Sequence, residues 1–151
     1  MKIKDIMLKN TTSIIPDCLL EEVIEIMAIQ RINGITVVNE EQKVIGFISQ
    51  HDIIKELLPN YLGIINSSSF ITEFIQLSKK LKEYANHKAE DFMKKNVITI
   101  NEDDNEVMAA DLLIRNKIHY LPVVRNGYLV GIVTLRDLLK AMIEEENDKQ
   151  E

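Results

Sequence analysis

Apolar and polar positions along the chain switch between two rhythms, and the switching happens twice. Leu20, Val23, Ile24 and Met27 recur at spacings of three and four, which predicts an amphipathic helix opening at Pro16-Asp17, with proline in the first turn where its missing N–H matters least. A short apolar run before it, Thr12 to Ile15, and two β-rich runs after it, Ile35–Val38 and Val44–Ser49, predict strands. The last two are separated by a polar turn and read as a hairpin. His51 to Leu58 then returns to helical spacing. The order is therefore β-α-β-β-α.

The same order recurs downstream. Strand Val97–Ile100 is followed by a helix over Asp104–Asn116 with Ala109, Ala110 and Leu113 inward. A hairpin from Tyr120 to Thr134 turns at Asn126-Gly127, and a helix runs from Leu135 to about Glu145. Laid on itself at an offset of 86, the chain aligns Asp5-Ile-Met7 with Asp91-Phe-Met93, Met27 with Leu113, and Ile35–Val38 with Leu121–Val124. One extra residue in the Asn39–Lys43 loop changes the offset to 85, which aligns Gly46 with Gly131 and Asp52 with Asp137. One turn-length difference is what two copies of a supersecondary unit show.

Both copies contain glycine, two apolar residues, a hydroxyl, two variable positions and aspartate: Gly46-Phe-Ile-Ser-Gln-His-Asp52 and Gly131-Ile-Val-Thr-Leu-Arg-Asp137. Ser/Thr followed three residues later by an acid is a capping box, so each stretch reads as a strand running into a helix. Such a junction presents backbone N–H groups and the positive end of the helix dipole, which suits phosphate or carboxylate.

Residues 1–58 thus form repeat one and 89–143 repeat two, with 59–88 between them and an acidic tail at 144–151. In the insert, Pro59 ends the preceding helix and Ser67–Ser69 offer N-caps. Phe70, Phe74, Leu77, Leu81 and Tyr84 then stripe a helix of about four turns, most simply a brace over the repeats.

Composition narrows the function. The net charge is −6, of which five acids and one base in the tail contribute −4, and this argues against broad electrostatic binding to nucleic acid. No apolar run nears the roughly 20 residues of a membrane span and the start lacks a signal-peptide pattern, so the expected location is cytoplasmic. Cys18, the single cysteine, allows neither an intrachain disulfide nor a Cys-based zinc site, and it reads as an inert small hydrophobe. His51, His87 and His119 follow no metal-ligand spacing. An enzyme built on His51 and Asp52 lacks a nucleophile motif, and those neighbours project differently from a helix.

The duplicated residues closely resemble the tandem cystathionine-β-synthase (CBS) domain pair, or Bateman module. The resemblance rests on Asp5-Ile-Met7, Ile15-Pro-Asp17, Met27, Ile32–Val38 and Gly46–Asp52, and on Asp91-Phe-Met93, Leu113, Ile118–Val124 and Gly131–Asp137. It implies an α/β (α+β) fold of two pseudo-twofold-related repeats that sense rather than catalyse. The implied ligand contains adenosine (AMP, ADP, ATP or S-adenosylmethionine), no cofactor is required, and the assembly is a homodimer regulating a partner protein. Carried over by position, one ligand is shared by Thr134, Arg136 and Asp137 with Ser13, Ile32, Asn33 and Gly34. The other is shared by Ser49, His51 and Asp52 with Thr99, Ile118, His119 and Tyr120.

The chemistry fits these roles, since a carboxylate accepts both hydrogens of a ribose diol and Arg136 brings a permanent charge for phosphate where its counterpart is His51. The set around Asp137 is therefore expected to be the stronger. Two positions depart from the pattern: Thr36 stands opposite Pro122, and Glu102 opposite Pro16. The alternative is a dimerisation or protein-interaction module that binds no nucleotide.

Overall fold

The computed structural model describes residues 1–58 and 67–150, with side chains throughout except those of residues 67–70. The expectations for Pro59, the Ser67–Ser69 caps and Phe70 fall outside the described residues. The strands are β1 (Ser13–Ile14), β2 (Gly34–Val38), β3 (Val44–Ser49), β4 (Ile100–Asn101), β5 (Leu121–Arg125) and β6 (Tyr128–Val133). The helices are α1 (Leu20–Gln30), α2 (Gln50–Leu57), α3 (Ser67–Tyr84), α4 (Glu106–Arg115) and α5 (Leu135–Gln150). The expected β-α-β-β-α order is present twice, as two three-stranded sheets ordered β1-β2-β3 and β4-β5-β6. In each sheet the first strand joins the second in parallel, Ser13 opposite Thr36 and Ile100 opposite Val123.

Two compact units result, and they exchange segments relative to the sequence repeats. The α4–α5 unit takes Met1–Thr12 and Glu40–Val44 together with Asn96 onward, whereas the α1–α3 unit takes Ser13–Asn39 and Ile45–Lys95. Each exchanged arm is fixed by burial and hydrogen bonds. Ile3 is fully buried in the core of Ile100, Leu113, Leu121, Val123 and Leu138, and its N–H donates to the carbonyl of Asp104 at 2.8 Å. Ala89, the counterpart of Ile3 at offset 86, is fully buried with Leu20, Val23, Ile35 and Ile48.

The glycine of each repeated motif makes room for its arm. A Cβ at Gly131 would lie 2.6 Å from Sδ of Met7 and 2.9 Å from the carbonyl oxygen of Leu8, and one at Gly46 would lie 2.4 Å from Sδ of Met93. The Asp-x-Met and Gly-x-x-[Ser/Thr] elements are thus packing partners.

Several boundaries differ from the sequence reading. Helix α1 begins at Leu20, after a turn at Pro16-Asp17, and Ile24 is 36% exposed while Leu20, Val23 and Met27 are buried. Helix α4 begins at Glu106, two residues later than expected, because Asn105, whose side chain accepts from Met108 N–H, is its N-cap. The acidic residues 144–150 continue α5, supported by Lys140–Glu144 and Lys149–Glu145 pairs one turn apart. On α3, Leu77, Leu81 and Tyr84 pack on the α1–α3 core and Lys80 Nζ donates to the carbonyl of Leu57, but Phe74 of the predicted stripe stays exposed. Asn126 and Gly127, at φ +52° and +86°, form the turn between β5 and β6, a conformation that this pair adopts readily. Among the described residues, no helix is long and apolar enough to cross a membrane.

Candidate functional site

Both strand-to-helix junctions are reciprocal caps. Ser49 Oγ accepts from Asp52 N–H at 3.1 Å, and Asp52 Oδ2 accepts from Ser49 N–H at 3.2 Å. At the second junction Asp137 Oδ2 accepts from Thr134 N–H at 2.9 Å and from Thr134 Oγ1 at 3.0 Å, while Asp137 N–H faces Thr134 Oγ1 at 3.4 Å. One carboxylate oxygen therefore holds the helix start in each copy, which leaves the other for different work.

The two copies use that second oxygen differently. Oδ1 of Asp52 lies 3.4 Å from Nζ of Lys94, an exposed lysine on the exchanged arm bridged to Phe47. Oδ1 of Asp137 has no hydrogen bond or ion pair among the described residues, and the residue opposite Lys94 in the repeat is Leu8, bridged to Ile132. Arg136, immediately before Asp137, is exposed and has no ion-pair partner among the described residues. His51 is exposed as well. Sequence reading passed over Lys94, whose only signal is that the self-alignment sets a lysine against a leucine.

The companion loops follow helices that end alike. Arg31 and Lys117, equivalent at offset 86, both have left-handed backbone (φ +55° and +53°) and close α1 and α4 just before residues 32–34 and 118–120. A non-glycine residue there carries conformational strain of roughly 1 kcal/mol, so its appearance in both copies marks a turn the fold requires. Ile32 and Ile118 pack on their respective cores, while Asn33 and His119 are exposed. The carbonyl of Asn33 accepts from Gln50 N–H at 2.9 Å, tying this loop to the start of α2. Gly34 is buried at the start of β2, Ser13 and Thr99 are half-buried, and Tyr120 is half-buried with its own partner.

Within the α1–α3 unit the structure gathers Ser13, Ile32, Asn33, Gly34, Ser49, His51 and Asp52. The α4–α5 unit holds Thr99, Ile118, His119, Tyr120, Thr134, Arg136 and Asp137. Each set that the resemblance assigns to one ligand therefore draws on both units.

The two departures from the repeat pattern have distinct consequences. Thr36 is fully buried and its hydroxyl has no partner among the described residues, a cost of about 1–3 kcal/mol. Glu102 accepts from Nε and, at 2.9 Å, from Nη2 of Arg125. That hydrogen-bonded guanidinium holds the Glu102 carboxyl below the usual carboxylate range. The pair borders an open groove of about 410 Å³ lined also by Lys4, Asp5, Met7, Lys9 and Val130, which contains none of the candidate ligand residues.

Cys18 precedes α1 but shows no activation. Burial, and then its hydrogen bond to Glu22, push the thiol up to about 11. Alkylation by iodoacetamide at pH 7.5 is expected to be far slower than in the urea-unfolded chain, as followed by mass spectrometry. Because the folded pKa lies above the unfolded value, the associated stability is complete below about pH 9 and is lost as pH rises toward about 11. A Cys18→Ser variant should lose that part of the alkaline decline.

A family model of the CBS domain matches residues 3–59 and 89–144. An uncharacterized protein of Methanocaldococcus jannaschii is 35% identical, with 95% of this chain and 92% of that protein aligned. Inosine-5′-monophosphate dehydrogenase of the same organism is 29% identical over 92% of this chain, but the match spans only 23% of that enzyme. Among solved structures, that of CBSX2 in complex with AMP superposes with a TM-score of 0.74 at 21% identity, covering 96% of this chain and 98% of that one.

Proposed function

Because the chain belongs to the CBS-domain family and carries the domain twice, we propose that it is a non-enzymatic regulatory module that binds an adenosine-containing ligand. The observation that carries this reading is the division of labour at Asp137: Oδ2 secures the helix start, while Oδ1 accepts from no described residue. Arg136 beside it, exposed at a helix N-terminus, supplies a fork of donors for phosphate oxygens. Ser13, Ile32, Asn33 and Gly34 are the companion set for this ligand, with Asn33 and the β2 start offering the base backbone and amide partners.

The second set is weaker in this reading. Asp52 must release or share Lys94 before taking ribose hydroxyls, and His51 carries no permanent charge. A ligand of higher phosphate charge would find Lys94 an added cation.

Ligand binding changes the module's behaviour, a coupling typically of about 1–3 kcal/mol. We place the chain as a homodimer passing that change to a partner protein. AMP bound to CBSX2 supports adenine nucleotide as the ligand class. The dehydrogenase match supports an accessory role, because this chain spans about a quarter of that enzyme.

Thermal unfolding with AMP, ADP, ATP and S-adenosylmethionine tests the reading. A ligand at about 100 times its Kd stabilises by about 2.7 kcal/mol, which corresponds to a Tm rise of roughly 5–10 °C for a chain of this size. Unchanged Tm with all four at millimolar concentration favours the ligand-free interaction module instead.

A further inference from the structure

Glu102 follows β4 and Arg125 closes β5, at the opposite end of the sheet from Thr99 and Ile118–Tyr120, and there they border the open groove of about 410 Å³. Every residue lining it belongs to the α4–α5 unit, so the duplicated architecture supplies a comparison within one chain. In the α1–α3 unit the equivalents of Lys4, Glu102 and Arg125 are Glu90, Pro16 and Asn39, while Asp91, Met93 and Lys95 keep the character of Asp5, Met7 and Lys9. The backbone is alike in both places: Lys4 N–H donates to the Glu102 carbonyl at 2.9 Å, and Glu90 N–H donates to the Pro16 carbonyl at 3.2 Å. The charge differs, with three cations against two acids in the α4–α5 unit and one cation against two acids in the other. The fold therefore forms without Lys4 or the Glu102–Arg125 pair, and an ion pair at this depth adds little stability to account for them.

The chemistry of the lining indicates what fits it. Glu102, only 8% exposed, occupies Nε and Nη2 of Arg125, whose side chain is 63% exposed and whose Nη1 has no partner among the described residues. A nearly buried carboxylate thus fixes a guanidinium that faces outward with donors to spare, the geometry that carboxylate and phosphate oxygens match. Lys9 is exposed and has no ion-pair partner among the described residues, and Lys4 is only 3.5 Å from Asp103 with both side chains well exposed. Half-buried Met7 and Val130 add an apolar wall, which suits an organic body better than a bare ion. Exposed Asp5 sets a like charge against a polyphosphate and so favours a compact anion of one or two charges. The volume falls in the range of small-molecule sites, roughly 300–1,000 Å³.

We propose that this groove binds a small organic anion, a carboxylate or a phosphate monoester, held by Arg125, Lys9 and Lys4 with its apolar part against Met7 and Val130. It is a second ligand site, separated from Tyr120 by the length of β5, about 16 Å at roughly 3.3 Å per residue.

The test titrates the full, nitrogen-15-labelled chain with succinate, phenyl phosphate and inorganic phosphate, followed by NMR at the Lys9 and Val130 amides and at Nε–H of Arg125. At least one organic probe should shift these signals saturably, with a Kd in the low-millimolar range and below that of inorganic phosphate. Lys9→Ala, which removes no buried group, and Arg125→Lys, which keeps the charge but loses the fork, should each raise that Kd at least about fivefold. Succinate and phenyl phosphate separate the carboxylate from the phosphate source. Asp137→Ala should leave the shifts unchanged, and Lys9→Ala should leave the Tm rise with AMP unchanged, so this site and the nucleotide reading fail independently. No saturable shift with either organic probe up to about 50 mM, equal affinity for inorganic phosphate, or undiminished binding in Lys9→Ala would overturn the proposal.

Discussion

Asp137→Ala should abolish the Tm rise that AMP produces in the parent chain, while Asp52→Ala should retain most of it. The expectation follows from the unequal surroundings of two otherwise equivalent aspartates. Asp137 presents Oδ1 with no described partner, and Arg136, the residue before it, is exposed, whereas Asp52 shares Oδ1 with Lys94. Both substitutions also remove a capping acid, so each should lower the ligand-free Tm by a similar amount, equivalent to about 1 kcal/mol. The signal is therefore the ligand-dependent increment, with the loss of cap common to both variants. Thr134→Ser, which retains the hydroxyl, should keep both cap and response. A full AMP response in Asp137→Ala would remove that residue from the site.

Ile3→Ala should destabilise the chain by about 2–4 kcal/mol, as expected for truncating a fully buried isoleucine. The size of this effect is unusual for the third residue of a sequence, since chain ends are ordinarily frayed. Ile3 instead sits among Ile100, Leu113 and Leu121, and the neighbouring arm is bridged to Ile132 through Leu8. Urea unfolding checks it: the midpoint should fall without a change in slope. Lys9→Ala, at an exposed position on the same arm, should stay within about 0.5 kcal/mol of the parent. A negligible effect of Ile3→Ala would contradict the exchanged arm.

That arm also shows where sequence reading stops. The β-α-β-β-α order was legible because helix and strand periodicities differ and because each motif had a second copy to confirm it. The capping boxes were legible because Ser49/Asp52 and Thr134/Asp137 interact over three residues, a range that local sequence encodes. Which unit each arm joins was not legible: Asp5-Ile-Met7 and Asp91-Phe-Met93 are near-equivalent, so pattern alone fits either assignment. Only packing resolves it, through Met7 against Gly131 and Met93 against Gly46.

Pairings between distant residues were hidden for the same reason. Lys94 with Asp52 and Arg125 with Glu102 depend on arms and strand ends brought together by the fold. The continuation of α5 to Gln150 was masked by its high acidic content, which its lysine–glutamate pairs partly offset. At the helix starts the sequence encodes the cap geometry of Ser49/Asp52 and Thr134/Asp137, whereas assigning these residues and the companion loops to a ligand rests on resemblance.

Titration of the parent chain with AMP, ADP, ATP and S-adenosylmethionine by isothermal calorimetry addresses the nucleotide-sensor account most directly. It predicts saturable heat for at least one of them, with a Kd in the micromolar to low-millimolar range and markedly weakened by Asp137→Ala. No saturable binding of any of the four to folded protein would contradict it.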